Sequence, residues 1–127
     1  HLDWFWQWVM VQDEPTILAK KKVGIRYKPI VVFQVPPETA LDKQAHDIIT
    51  PYDREKDEHK WQQPVRTTAE LITDLTEPND RICDPMAGSG TTGIAALDEG
   101  RRAVLIDSDE DALTTARERL SEVIDND

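Results

Sequence analysis

Three glycines and two aspartates are the residues best placed to do chemistry. The stretch RICDPMAGSGTTG, Arg81 to Gly93, carries Gly88, Gly90 and Gly93 at the spacing G-x-G-x-x-G, with Asp84 just before them. Glycines so spaced let a chain leave a strand, turn tightly at positive φ and enter a helix. The first N–H groups of that helix have no partner within it and point at whatever lies ahead. The next strand expected from the sequence ends at Asp107, nineteen residues after Gly88. A carboxylate at that place can accept hydrogen bonds from both hydroxyls of an adenosine ribose.

Several ligands share an adenosine. A P-loop needs lysine after its last glycine, and Ile94 stands there instead. A dinucleotide site fits the glycine spacing, which alone is a weak signal. Asp84 speaks against it, because a carboxylate beside the turn repels a pyrophosphate and suits a cationic amine. S-adenosylmethionine carries an ammonium and a sulfonium and no phosphate, so acids at both strand ends favour it. The bland alternative is a tight strand-to-helix turn with an ordinary capping aspartate; the joint presence of the glycine turn and the spaced acid weighs against that.

These residues need a frame, and the pattern supplies one. Residues 4–11 read as a strand with Trp4, Trp6 and Trp8 on one face, and 27–35 as a second strand with Ile30, Val31, Val32 and Phe33 as a buried run. The two are expected to pair as a hairpin across a Lys-rich connection. Residues 38–60 are polar and read as a long loop with one short helix. From residue 64 the order is helix, strand, helix, strand, helix, an α/β unit with a parallel sheet. Val65, Ala69, Ile72 and Leu75 stripe the first helix, which Pro64 opens. Gly100 suits the C-terminus of the second. The third opens on Asp109 to Asp111 and turns Ala112, Leu113, Ala116, Leu120 and Val123 inward.

Bulk properties set bounds. A chain of 127 residues argues for one domain. No apolar run reaches the length of a membrane span, and HLDWFWQWVM lacks the basic start and small-residue cleavage site of a signal peptide. A cytoplasmic location without membrane partners fits. The single cysteine, Cys83, excludes an internal disulfide and a cysteine-based zinc site, and its place in a strand suggests core. His46 and His59 lack metal-spaced partners and read as surface, so no metal is expected. The net charge of −10 does not advertise nucleic-acid binding. Yet Lys20, Lys21, Lys22, Arg26 and Lys28 fall within nine residues, either a solvated connection or a contact to a DNA backbone. The tryptophans read as a packed face ahead of a base-stacking platform.

DPMAGSGTT closely resembles the cofactor-binding motif of the DNA amino-methyltransferases, usually D-P-F-x-G-S-G-T-T, with Met86 replacing phenylalanine. HKWQQP is similar to the H-P-T-Q-K-P that precedes this motif in the circularly rearranged group: His59, Gln62 and Pro64 match, and Lys60, Trp61 and Gln63 depart. GRRAVLIDSD resembles the family's G-R-R-x-x-G-x-E strand, with Asp107 at the acidic position. Residues 11–33 resemble the hairpin late in the family's catalytic half.

The resemblance implies a Rossmann-like S-adenosylmethionine-dependent methyltransferase fold, α/β, with a partial parallel sheet plus an N-terminal β-hairpin. It divides the chain into a hairpin over 1–37, a loop at the target-recognition position over 38–60 and a cofactor-binding unit over 61–127. By the same resemblance, Asp84, Pro85 and Gly88, Ser89 and Gly90 hold the amino-acid end of the cofactor, and Met86 and Ala87 line the turn. Thr91 and Thr92 cap the helix and touch the carboxylate. Asp107 binds the ribose and Ser108 helps at the adenine, while Gln63 and Pro64 close over the methionine moiety. Glutamine at 63, where the family has lysine, removes a cation near that carboxylate.

The family transfers its methyl group with a [DNS]-P-P-[YFW] motif, whose aromatic stacks on a flipped base. VPPE, Val35 to Glu38, has the prolines but flanks that neither accept the amine's hydrogen bond nor stack, and TPYD has one proline. The motif is therefore expected upstream of His1, and no catalytic residue is assigned in the chain. The expectation is the cofactor-binding, C-terminal part of a DNA adenine or cytosine-N4 methyltransferase, inactive alone. Its partners would be DNA and the missing catalytic segment or a second chain. The rivals are a non-catalytic binding remnant and a dinucleotide-binding oxidoreductase fragment.

Overall fold

β-Branched and aromatic residues draw the start of the chain into strands in the computed structural model, which describes residues 3–18, 23–35, 46–49 and 65–125. Strand β1 runs Asp3–Leu18 and β2 runs Val23–Gln34. They pair antiparallel, as the hairpin reading expects, but both are longer than 4–11 and 27–35. Pro15 does not end β1. The register shifts between Val11 and Thr16, and an irregularity there takes up a residue that cannot donate to the ladder. A third strand, β3, Ile48–Ile49, pairs parallel with Val9 and Met10. This corrects the reading of 38–60 as loop and short helix at the one place where two β-branched residues adjoin. The sheet order is β2-β1-β3.

Among the described residues of this first unit, Trp8 and Ile49 are buried, at 2% and 1% exposure. Trp8 is thus packed, as expected; the side chains of Trp4 and Trp6 lie outside the described residues. The buried run expected at 30–33 is corrected. Val31 and Phe33 are exposed while Ile30 and Val32 are half-buried. Successive residues of β2 point to opposite faces of the sheet, so its apolar residues alternate in exposure.

The second unit follows the expected order. Helix α1 is Val65–Leu75, β4 is Arg81–Asp84, α2 is Thr91–Asp98, β5 is Arg102–Leu105 and α3 is Glu110–Asp125. β4 and β5 pair parallel from Arg81 opposite Arg102 to Asp84 opposite Leu105. Ile72 of α1 and Ala95 and Ala96 of α2 are buried together, with Val65, Ala69, Ile82 and Ala103 packed against them. Three of the four stripe residues of α1 therefore meet the core, and Leu75 is half-buried. Cys83 is exposed, which corrects its placement in the core. Along β4 exposure alternates, and the residue that packs inward is Ile82.

The ends of the helices are fixed by local chemistry. Gly100, at φ 72°, closes α2: its N–H donates to the Leu97 carbonyl and that of Arg101 to the Ala96 carbonyl. These two bonds make a Schellman motif. The Arg101 side chain, only 7% exposed, then joins α1 to α2. Its Nη2 donates to the Thr76 carbonyl at 2.7 Å, its Nε to Thr76 Oγ1 at 3.2 Å, and its Nη1 to the Glu99 carbonyl. Asp109 caps α3 by accepting from the N–H groups of Asp111 and Ala112. Ala116 of α3 is buried, and Ala112, Leu113, Leu120 and Val123 are half-buried, as their spacing expects. The chain divides into compact units at His1–Tyr52 and Asp53–Asp127.

Candidate functional site

The glycine turn begins where β4 ends. The Asp84 carbonyl accepts from the Ile106 N–H at 2.9 Å, and the Ile106 carbonyl accepts from the Ala87 N–H at 3.0 Å. The parallel ladder thus continues past both strands and brings Asp107 to the turn. There the Gly88 N–H donates to Asp107 Oδ2 at 2.7 Å, and the Asp109 N–H donates to Asp107 Oδ1 at 3.0 Å. Asp84 folds its carboxylate back on the same loop. Its Oδ1 accepts from the Met86 N–H at 3.0 Å and its Oδ2 from the Thr92 hydroxyl at 2.6 Å. The two acids picked out by spacing therefore both bind the turn.

The N–H groups of Asp109 and Gly88 hold the Asp107 carboxyl below the ordinary aspartate range; slight desolvation opposes them and the Ser108 N–H adds to them. Asp107 is thus a carboxylate throughout the neutral range.

Gly88, at φ 49°, has no atom within 4 Å of where a Cβ would stand. That flank of the turn is open. Gly90, at φ 82°, is closed: a Cβ there would come 2.8 Å from the Ala116 Cβ and 3.2 Å from its Cα. Among the described residues one side of the turn is thus open while α3 presses on the other. Pro85 and Met86 are exposed, Met86 at 83%, and Ala87 is buried. Ser108 is exposed. Gly90 is the N-cap of α2, with no side-chain capping bond. The expected capping by Thr91 and Thr92 is corrected accordingly: Thr91 is already helical, and the Thr92 hydroxyl turns to Asp84 instead.

Gln63, Pro64, His59, Lys20, Lys21 and Lys22 lie outside the described residues, as does the side chain of Arg26. Lys28 and His46 are exposed. Among the described residues no group of three or more His, Cys, Asp and Glu could hold a metal ion, and no helix is long and apolar enough to cross a membrane. The sequence reading missed Arg119. Its Nη1 donates to the Ser89 carbonyl at 2.7 Å and to the Ser89 hydroxyl at 3.2 Å. Its signal was its place one turn beyond the small Ala116.

The turn's chemistry is that of a cation-tolerant cradle. The N–H groups of Ala87, Gly88 and Gly90 already donate to the Ile106 carbonyl, to Asp107 and to the Ala87 carbonyl. A pyrophosphate approaching them would meet two carboxylates. A ligand with hydroxyls and an ammonium would meet acceptors.

Comparisons with known proteins place the chain in a family. The family described as DNA methylase matches residues 2–118. The Type II methyltransferase M2.LlaDCHI of Lactococcus lactis subsp. cremoris is 33% identical over 111 residues, covering 84% of this chain and 41% of that protein. M2.DpnII of Streptococcus pneumoniae is 34% identical over 110 residues, covering 83% and 41%. The chain thus spans about two-fifths of the length of these curated relatives. Among solved structures, a complex of M1.HpyAVI with SAM superposes with a TM-score of 0.74 at 22% identity, covering 94% of this chain and 63% of that one. A putative DNA modification methylase of Thermus thermophilus, TTHA0409, complexed with S-adenosyl-L-methionine, gives 0.72 at 19% identity, covering 96% and 54%. At these identities the superpositions show a shared fold, mixed α/β with an N-terminal hairpin.

Proposed function

The chain belongs to the DNA methylase family, and from that premise we propose that it is the S-adenosylmethionine-binding part of a site-specific DNA methyltransferase acting on an exocyclic amino nitrogen, adenine N6 or cytosine N4. The observation that carries the proposal is the meeting of Asp107 with the open turn at Gly88, through a 2.7 Å hydrogen bond. Family membership and the two acids together favour this over a dinucleotide-binding oxidoreductase.

Asp107 holds the ribose hydroxyls with its remaining lone pairs, and its depressed pKa keeps it an acceptor. Asp84 supplies negative potential toward the ammonium. The N-terminus of α2, which no side chain caps, suits the cofactor carboxylate. Gly88, Ser89 and Gly90 bring backbone close to the amino-acid end, with Met86, Ala87, Thr91 and Thr92 around them. Ser108 stands at the adenine, and Gln63 and Pro64 close over the methionine moiety. Bound there, S-adenosylmethionine supplies an electrophilic methyl group on a sulfonium.

DNA is the proposed substrate. Lys20, Lys21, Lys22, Arg26 and Lys28 are proposed contacts to its backbone, where each neutralised phosphate releases counterions. The 127 residues hold no [DNS]-P-P-[YFW] stretch, so acceptance of the target amine falls to a segment or chain outside them. A binding remnant without transfer would share every feature of the turn.

Two measurements test this. Calorimetry is expected to show binding of S-adenosylhomocysteine and none of NAD; preference for NAD would overturn the cofactor assignment. Incubated alone with DNA and labelled S-adenosylmethionine, the chain is expected to transfer no methyl group. Robust transfer would show that an acceptor site exists within these residues after all.

A further inference from the structure

The turn is held from behind as well as from below. Ala116 of α3 stands against Gly90, and Arg119 is three residues further along the helix, on the same face. From there its Nη1 reaches both the carbonyl and the hydroxyl of Ser89, the residue between the two positive-φ glycines. The Ser89–Gly90 peptide is therefore fixed at both ends: Arg119 donates to its carbonyl, and its N–H donates to the Ala87 carbonyl at 2.9 Å. A peptide in a turn flanked by left-handed glycines has no ladder to hold its orientation, so these two bonds decide it.

We propose that Arg119 is a positioning residue for the cofactor-binding turn, locking the Ser89–Gly90 peptide so that the open side of Gly88 and the carboxylate of Asp107 keep the geometry that receives S-adenosylmethionine. This rests on the functional reading above. Arg119 reaches the ligand only through Ser89 and acts by preorganisation: without it the turn must be ordered at the moment of binding, which weakens affinity.

The test uses the full 127-residue chain with Arg119→Met and Arg119→Lys, and reads S-adenosylhomocysteine affinity together with amide hydrogen exchange. Arg119→Met is expected to weaken binding about tenfold, the scale of one charge-assisted hydrogen bond, and to speed exchange at Gly88 and Gly90. Amides within β4, β5 and the middle of α3 should keep their protection, which a general loss of stability would not allow. Arg119→Lys, able to donate to the carbonyl, should recover part of the affinity. Binding by Arg119→Met within about twofold of the parent chain, well short of one such bond, overturns the positioning role and leaves the cofactor assignment standing. Equal loss of protection throughout the second unit overturns it too, by making Arg119 a general stability residue. If the parent chain binds no S-adenosylhomocysteine, the functional reading falls and takes this proposal with it.

Discussion

Gly90→Ala is expected to destabilise the second unit by about 2–4 kcal/mol, the sum of a left-handed backbone penalty and an overpacked contact. The backbone stands at φ 82°, which an L side chain adopts at a cost. The new methyl group would sit 2.8 Å from the Ala116 Cβ and 3.2 Å from its Cα. Neither atom is the end of a flexible side chain, so α3 itself must move. That movement would draw Arg119 off Ser89 and disturb the core around Ala116. For a unit of this size the cost corresponds to a fall of about 10–30 °C in Tm, read by circular dichroism. Gly88→Ala is the control. Its left-handed conformation carries a similar penalty, but its Cβ would meet nothing within 4 Å. It should melt within a few degrees of the parent chain, about 1 kcal/mol less stable. A Gly90→Ala chain that melts with Gly88→Ala would show that α3 does not press on the turn.

The contrast between those glycines was not legible in the sequence. The spacing G-x-G-x-x-G marks both positions alike, and only the path of α3 tells which is crowded and which open. The α/β order from residue 64, the hairpin and the two acids were legible, because each rests on a local rule: periodicity, a Schellman glycine at Gly100, a capping Asp109, a strand end at a stated spacing. What local rules missed depended on neighbours far along the chain. Ile48 and Ile49 form a strand because β1 offers an edge to them. Cys83 is exposed because the face of β4 that packs is the one bearing Ile82. Val31 and Phe33 are exposed because successive residues of β2 point to opposite faces, and Ile30 and Val32 take the more covered one. Arg101 and Arg119 each join elements, reaching partners 25 and 30 residues away. The family motif marked the glycine turn; the side chains that brace it are visible only once the helices are placed.

Asp107→Ala is expected to weaken S-adenosylhomocysteine binding by about ten- to a hundredfold, as for the loss of a charge-assisted hydrogen bond to the ribose. The same substitution removes the acceptor of the Gly88 and Asp109 N–H groups, so part of the loss will come through the turn. The pH dependence of the unmutated chain follows the same carboxylate. Those N–H groups hold the Asp107 carboxyl below the ordinary aspartate value of 3.8. A carboxyl with a depressed folded-state pKa gives stability that is fully present above its unfolded value and is lost as pH falls through the folded one. Both turn order and affinity should therefore be flat from about pH 7 to about pH 5 and decline only below the usual aspartate range. A decline setting in above about pH 5 would show that a group other than Asp107 governs the turn. Undiminished affinity in Asp107→Ala would remove Asp107 from the ribose altogether, and the case for an adenosine ligand at this turn would then stand on the glycines alone.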